Sequence, residues 1–418
     1  MSAPRQVIAV VVDGLMSPVL DSQVVVPLTL IGRYRPEIRR ALLVLTSWRH
    51  RRNPAAVQRA RALAAALPGV HTEFRYRLPL GTPGECWLWA RSLDKSLRGA
   101  GFDPSEPTIV HCRGEFMAAA AARLKRHQSQ LRIILDLRGA AVDEVPGKGL
   151  LSHYRRWKTA RALAEAVTAT DAVNCVSHKM LEHFRTSGII PERLPAAVVG
   201  CCMDTGRFFF DPHERARQRA TLALGDRFVL CYCGAMSHWQ RPDVIAAAFD
   251  AVRRARTDVH LLIISKEAHL LTQELTKRSV PESAYTAVSA AHTHVRSFLA
   301  AADVGLLLRE NTLTNRVASP VKFAEYLGCG LPVIVSRYVG DFSDLVAAEG
   351  VGQVVDFPPA PEEFVSAVGT LQARLTSAGD AYRRRCSELA AQRFSWETQL
   401  PELLRLYDLA AQSAPQHR

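Results

Sequence analysis

The sequence has 9 cysteines but no CxxC pair and no Cys/His spacing of the kind that builds a zinc site. Cys201 and Cys202 are adjacent, and Cys231 and Cys233 flank Tyr232. In apolar strands such cysteines are expected as reduced core residues. No apolar run approaches the ~18 residues that a membrane-spanning helix needs. The first residues, MSAPRQVIAVVVDG, carry one basic residue before their apolar run, lack a small-residue cleavage pattern and end in Asp13-Gly14. They read as a buried strand of a cytoplasmic protein, not as a signal peptide. GxGxxG and GxxxxGKS/T are both missing, which argues against dinucleotide-binding and P-loop chemistry. An acidic DxD, an internal repeat and a low-complexity tract are also missing. What remains is an ordinary globular composition, 48 % hydrophobic and 22 % charged over 418 residues, long enough for two or three domains.

The net charge of +13 is unevenly spread. Residues 1–204 hold 29 Lys+Arg against 17 Asp+Glu, a net of +12, and residues 205–418 hold 24 against 23, a net of +1. The excess clusters at Arg33, Arg35, Arg39 and Arg40, then at Arg49, Arg51, Arg52, Arg59 and Arg61, and again at Arg155, Arg156, Lys158 and Arg161. A one-sided basic domain implies an anionic partner, a membrane surface or a phosphorylated substrate. Nucleic acid is not expected, because no nucleic-acid motif appears and the clusters carry few interleaved aromatics.

Strand-like and helix-like segments alternate. In the first half Val7–Val12, Ala41–Leu45, Thr108–His111, Arg132–Asp136, Ala172–Val176 and Ala197–Val199 read as strands. Between them Ser22–Ile31, Pro54–Leu67, Glu85–Arg98, Glu115–His127, Tyr154–Thr168 and His178–Thr186 read as helices. Asp211–Leu224 suits a connecting helix, and then the alternation restarts. Phe228–Cys233, His260–Ser265, Val304–Leu308 and Leu331–Val335 read as strands, and Val244–Arg254, His294–Ala302, Val321–Leu327 and Ala360–Thr376 as helices. Ser395–Gln412 has helical apolar spacing. The class is α/β, two doubly wound Rossmann-like domains with a ligand expected in the crevice between them.

The densest signal is RENTLTNRVASPVKFAEYLGCGLPVI, residues 309–334. Ser319 is predicted as a helix N-cap and Pro320 as the first helical residue, with Gly328 and Gly330 as the stop. Free N–H groups at that helix start suit a diphosphate. Lys322 sits in the first turn, where a cation is unfavourable for the helix and is explained by an anionic ligand nearby. Glu325 is placed to accept hydrogen bonds from both hydroxyls of a ribose.

This stretch resembles the donor-binding segment of the retaining glycosyltransferases of carbohydrate-active family 4, which have the GT-B fold. Weaker similarity runs along the chain at IVHCR (109–113), DAVNCVS (171–177), VGCCMDTGRF (199–208), CYCGAMSHWQ (231–240) and FSWE (394–397). The resemblance implies an acceptor-binding domain at 1–204, a nucleotide-sugar-binding domain at 205–395 and a C-terminal helix at 396–418 crossing back to the first domain. It also implies transfer of a sugar, with retention, from a nucleotide diphosphate donor (UDP by family frequency) to a glycan or lipid-linked saccharide in polysaccharide biosynthesis. No metal or other cofactor is expected.

Residue by residue, Glu325 matches the second Glu of the family's EX7E motif, while the first is replaced by Val317, with Glu310 as a nearby substitute. The family's diphosphate-gripping Arg falls on Ala235 and its Lys on Arg241, with Lys266 and Arg309 as further candidates. Gly234 opens the same loop, and His238 is a further hydrogen-bonding candidate there. In the first domain the family's sugar-side His falls on Arg138. Arg138, Arg309 and Lys322 are thus the expected catalytic cations. Asp13, Ser17, Gln23, Asp143 and Glu144 are acceptor-side candidates, and Gly14 allows close backbone approach. Three other readings compete: a nucleotide-sugar epimerase of the same fold, a degenerate sugar-binding relative, and a phosphorylase-type enzyme.

Overall fold

The computed structural model describes residues 5–12, 20–48, 52–77, 84–236 and 240–413. Chain contacts divide the protein into two compact units, residues 1–200 with 399–418, and residues 201–398. These limits fall a few residues from those expected at 204/205 and 395/396.

The first unit is built on seven strands, β1 (Gln6–Val12), β2 (Arg39–Ser47), β3 (Val70–Arg77), β4 (Thr108–Arg113), β5 (Leu131–Leu137), β6 (Ala172–Cys175) and β7 (Ala196–Val198). All pair in parallel, in the order β3-β2-β1-β4-β5-β6-β7. Val7, Ile8 and Val10 of β1 are fully buried. A strand covered on both faces needs such a continuous β-branched run. The cover comes from α1 (Val26–Tyr34), α2 (Pro54–Ala65), α3 (Glu85–Gly99), α4 (Glu115–Lys125), α5 (Leu150–Ala169) and α6 (His178–Thr186). Local chemistry starts them. The Asn53 side chain accepts from Ala56 N ahead of Pro54, and Ser177 accepts from Met180 N. The helix expected at Ser22–Ile31 begins instead as a π-helical turn, Asp21–Val25.

The second unit runs α7 (Pro212–Thr221), β8 (Phe228–Cys233), α8 (Pro242–Ala255), β9 (Val259–Ile264), α9 (Ala268–Lys277), β10 (Tyr285–Val288), α10 (His292–Ala300), β11 (Val304–Leu307), α11 (Leu313–Arg316), α12 (Val321–Gly328), β12 (Val333–Ser336), α13 (Phe342–Glu349), β13 (Gly352–Val355) and α14 (Pro361–Phe394). Its sheet is parallel in the order β10-β9-β8-β11-β12-β13. Gly379, at φ 52° and ψ −132°, breaks α14, and this backbone conformation belongs to glycine. The last helix, α15 (Trp396–Gln412), joins the first unit from Gln399 onward. There Asp408 pairs with Arg35 at 2.9 Å.

Sequence periodicity misses three strands, β3, β10 and β13, and all three are edges of their sheets. An edge strand is half solvated and lacks the unbroken apolar run that marks a central strand. β3, with the sequence VHTEFRYR, has mostly intermediate burial. Each sheet reverses its strand order once, between β1 and β4 and between β8 and β11. The carboxyl ends of the strands at such a reversal leave room for a ligand.

Candidate functional site

In the second unit the reversal lies between β8 and β11. Gly234 follows β8 at φ +122°, and a Cβ there would lie 3.0 Å from Lys322 Nζ. Glycine at this position therefore admits the lysine side chain. Lys322, in the first turn of α12, is only 9 % exposed. Its ammonium lies 4.5 Å from the centre of the Tyr232 ring, 3.4 Å from the Tyr232 hydroxyl and 3.5 Å from Gln240 Oε1. No carboxylate among the described residues lies within ion-pair distance of it. Burial, and then the neighbouring Arg309 guanidinium, pull its pKa down to about 7.

Arg309 follows β11 and is itself buried. Its backbone N–H donates to Ser336 Oγ at 2.7 Å, and that hydroxyl donates back to Arg309 O at 2.8 Å. Its Nη1 donates to Oδ1 of the fully buried Asn315 at 3.3 Å. Helix α12 is fixed by Tyr326, whose hydroxyl accepts from Cys233 N at 2.7 Å. The Tyr326 ring fills the space beside Gly305, where a Cβ would come within 2.5 Å of it. One side chain thus ties the helix to both β8 and β11, and with it Lys322 and Glu325.

Glu325 is 6 % exposed, and its Oε1 accepts from His292 Nε2 at 3.1 Å. The other ring nitrogen, Nδ1, lies 3.2 Å from Arg207 Nη1. An arginine only donates, so Nδ1 accepts and Nε2 carries the proton toward Glu325. The carboxylate is oriented by the imidazole Nε2, and Oε2 has no hydrogen bond among the described residues.

Other expected residues fall differently. The N-cap reading of Ser319 is corrected: α12 starts at Val321, and Pro320 takes the cap position without a side-chain cap bond. The Ser319 hydroxyl is engaged elsewhere, accepting from Cys201 N at 3.2 Å. Arg241 donates to both oxygens of Asp243 at 2.9 and 2.8 Å, and its Nη1 lies 3.7 Å from Glu310 Oε1. Its charge is therefore met by carboxylates. Val317 is buried and Glu310 is exposed. Lys266 is exposed on the turn after β9; the adjacent Glu267, not Lys266, reaches the β8 loop, where its Oε2 accepts from Met236 N at 2.7 Å. His238, Asp13, Gly14 and Ser17 lie outside the described residues.

In the first unit the residues around the β1/β4 reversal gather on Asp136, at the end of β5. Its Oδ1 accepts from Asn174 Nδ2 at 2.7 Å and Arg138 Nη1 at 3.3 Å. Its Oδ2 faces His111 Nε2 at 3.3 Å and Arg113 Nη1 at 3.4 Å. Burial alone would push this carboxyl up, but Arg138, His111 and Arg113 outweigh burial and hold it far below the usual carboxylate range. His111 Nδ1 meets the buried Tyr407 hydroxyl of α15 at 2.8 Å. Gln23 joins the group, with Oε1 accepting from Arg138 Nη2 at 3.5 Å and its carbonyl from Arg113 Nη1 at 3.3 Å. Asp143 and Glu144 are exposed on the following turn. Glu144 Oε1 occupies the space that a Cβ at Gly139 would fill. Burial, reinforced by the charge of Glu144, pushes the nearby Glu115 carboxyl up.

Of the residues expected from the sequence, Glu325, Lys322 and Arg309 lie together in the second unit and Arg138 and Gln23 in the first, beside Tyr232, His292, Asn315, Ser336, His111 and Asp136, which sequence reasoning does not single out. His292 stands just before the helix expected from His294. Nothing in its spacing links it to Glu325, 33 positions on. Among the described residues no group of three or more His, Cys, Asp or Glu is placed to hold a metal ion, and no helix is long and apolar enough to cross a membrane.

Residues 227–374 match the family model of the glycosyl transferases group 1. A GDP-mannose-dependent alpha-(1-6)-phosphatidylinositol dimannoside mannosyltransferase of Mycobacterium tuberculosis is 28 % identical over 196 residues, 47 % of this chain and 48 % of the relative. A D-inositol 3-phosphate glycosyltransferase of Segniliparus rotundus is 28 % identical over 213 residues, 48 % of this chain and 44 % of the relative. The chain spans about half the length of the curated relatives it matches. Among solved structures, Anabaena HepE in complex with UDP and glucose aligns with a TM-score of 0.70 at 15 % identity, covering 96 % of this chain and 98 % of that one. The two parallel-sheet halves have the GT-B fold, and residues 227–374 are similar to the glycosyl transferases group 1 family.

Proposed function

We propose that the protein is a retaining, metal-independent glycosyltransferase. It moves a sugar from a nucleotide-diphosphate sugar to a glycan or lipid-linked saccharide, in cell-surface polysaccharide or glycoconjugate biosynthesis at the cytoplasmic side of the membrane. The observation that carries this reading is Lys322: a buried cation with no carboxylate at ion-pair distance among the described residues, beside Arg309 and at the strand reversal of the second unit. A diphosphate supplies the missing negative charge. Glu325, oriented by His292, accepts hydrogen bonds from the two ribose hydroxyls.

As the glycosidic bond breaks, charge grows on the leaving diphosphate. Lys322 and Arg309 are held in place beforehand by Tyr232, Asn315 and Ser336, so they stabilise that charge without rearranging. The departing phosphate oxygen takes the proton of the acceptor hydroxyl on the same face, which gives retention. The protein then contributes positioning and electrostatics rather than a covalent intermediate. In the first unit Arg138, steadied by Asp136 and Gln23, counters developing negative charge, and Asp143 and Glu144 orient acceptor hydroxyls. The resemblance favours uracil as the base. The Mycobacterium tuberculosis relative is named for GDP-mannose, so both donors enter the test.

The purified protein is incubated with UDP- or GDP-sugars, a lipid-linked saccharide and EDTA, and the product is read by NMR. The expected result is a new glycosidic bond with the donor's anomeric configuration, formed at the same rate with and without chelator. An inverted product contradicts retention. Conversion of the free donor without acceptor identifies an epimerase. A chelator-sensitive rate contradicts metal independence.

A further inference from the structure

Helix α5 carries large apolar residues on its outward side as well as on its buried one. Its buried positions are Thr159, Ala162, Leu163 and Ala166, one stripe at helical spacing. On the opposite stripe stand Leu150, Tyr154, Trp157 and Arg161, spaced by four, three and four residues. Leu150 is 91 % exposed, Trp157 54 % and Tyr154 44 %. Leu151 stands beside them at 62 %. Single exposed hydrophobics are ordinary, but a contiguous outward ridge of leucine and aromatics is not. The third basic cluster of the sequence is thus interleaved with aromatics, against the expectation stated for the clusters as a whole.

The start of α3 adds to the ridge. Lys158 Nζ is 2.7 Å from the buried Glu85 and ties the two helices together. Next to Glu85, Trp87 and Leu88 are exposed. Both tryptophans carry a stacked arginine, with Arg161 5.5 Å from the Trp157 ring centre and Arg91 4.3 Å from that of Trp87. Between Trp87 and Arg161 an open hollow of about 680 Å³ continues to Arg126 and His127. Its carboxylate, Glu165, is already paired with Arg123 at 3.1 Å. The hollow therefore presents positive charge beside the aromatic ridge.

We propose that the α5 ridge and the adjoining arginine hollow dock the first unit onto an anionic lipid bilayer. Leu150, Leu151 and the rings of Tyr154 and Trp157 enter the headgroup–acyl boundary. Arg91, Arg126 and Arg161 meet lipid phosphates. Tryptophan, tyrosine and leucine flanked by arginine are the side chains that this boundary selects. The charge decides between occupants: residues 1–204 carry +12, so a second copy would bring like charge to the same face, whereas an anionic leaflet is complementary. The inference rests on the glycosyltransferase reading only in its purpose, which is to bring the enzyme to a lipid-borne acceptor.

The full-length protein is sedimented with phosphatidylcholine vesicles with and without phosphatidylglycerol, at low and high salt. Binding is expected to the phosphatidylglycerol vesicles, weakening with salt. Leu150→Glu and Trp157→Ala each weaken it by ~10-fold, and Arg161→Glu removes the preference for anionic lipid. Because these positions face outward, thermal midpoints should match the wild type. Absence of vesicle binding, or variants that bind like the wild type, overturns the proposal. So does a wild-type dimer that Leu150→Glu turns into a monomer without any vesicle binding. Nucleotide binding measured without vesicles reads the donor site separately, so failure of one proposal is not failure of the other.

Discussion

At the reversal between β1 and β4 one buried carboxylate, Asp136, is met by Arg113, Arg138, His111 and Asn174. At the reversal between β8 and β11 the pattern is turned around. There a buried lysine lies beside a buried arginine, no carboxylate among the described residues is at ion-pair distance from the lysine, and the carboxylate that is present, Glu325, faces a histidine. The same topology carries a charge cluster closed on itself in one unit and left open in the other. A closed cluster stabilises the fold. An open one costs stability until a ligand completes it, and this is where a functional site is expected.

The largest expected effect falls on the closed cluster. Asp136→Ala leaves Arg113, Arg138 and His111 without their shared carboxylate, and should cost the first unit ~3–5 kcal/mol. Hydrogen exchange resolved along the chain should show lost protection in β4 and β5 but not in β8 and β11. The Asp136 pKa is lowered on folding, so its contribution is present above the ordinary carboxylate range and is lost only as the pH falls below it. An Asp136→Ala protein as stable as the wild type at neutral pH would break the comparison.

The open cluster should respond in the opposite sense. Lys322→Met removes a cation that burial penalises, so the ligand-free protein should melt a few degrees higher. The Lys322 pKa falls from 10.5 to about 7 on folding, so its charge opposes folding fully below pH 7 and ceases to do so above 10.5. The gain from Lys322→Met is therefore greatest below pH 7 and shrinks as pH rises. The same variant should bind nucleotide diphosphate ~30-fold more weakly, because a charge-assisted contact is lost. In the wild type a bound diphosphate raises the lysine pKa again. Binding above pH 7 should then take up a proton and weaken by up to ~tenfold per pH unit, and Lys322→Met should abolish that slope. A wild-type affinity flat from pH 7 to 9 would contradict the assignment.

How much of this was legible in the sequence follows from range. Central strands announce themselves by unbroken apolar runs, and α12 by its local spacing, so Lys322 and Glu325 are placed on that helix from the sequence alone. The edge strands β3, β10 and β13 are half solvated and escape the same test. The partners of the site come from afar: His292 meets Glu325 across 33 positions and Tyr407 meets His111 across 296. The burial of Lys322, and hence its depressed pKa, is likewise a tertiary fact. Ser319-Pro320 is a failure of another kind, a favourable capping pair overridden because the Cys201 N–H takes the serine hydroxyl.

A smaller effect sharpens the contrast between a ligand-facing group and its support. His292→Ala should leave Glu325 in place but free to turn, and weaken nucleotide binding by ~5-fold, about 1 kcal/mol. Titration calorimetry on this variant should show the loss without the proton uptake of Lys322 being altered. A change in the pH slope would instead make His292 a charge partner of the diphosphate.

The most direct test is calorimetric titration of the ligand-free protein with UDP and with GDP, beside Glu325→Ala. The account predicts that one nucleotide binds, and that Glu325→Ala weakens it ~100-fold through loss of two charge-assisted ribose contacts. Equal affinity of Glu325→Ala and wild type, or no binding of either nucleotide, would contradict the claim that the open cluster of the second unit is a nucleotide-diphosphate site.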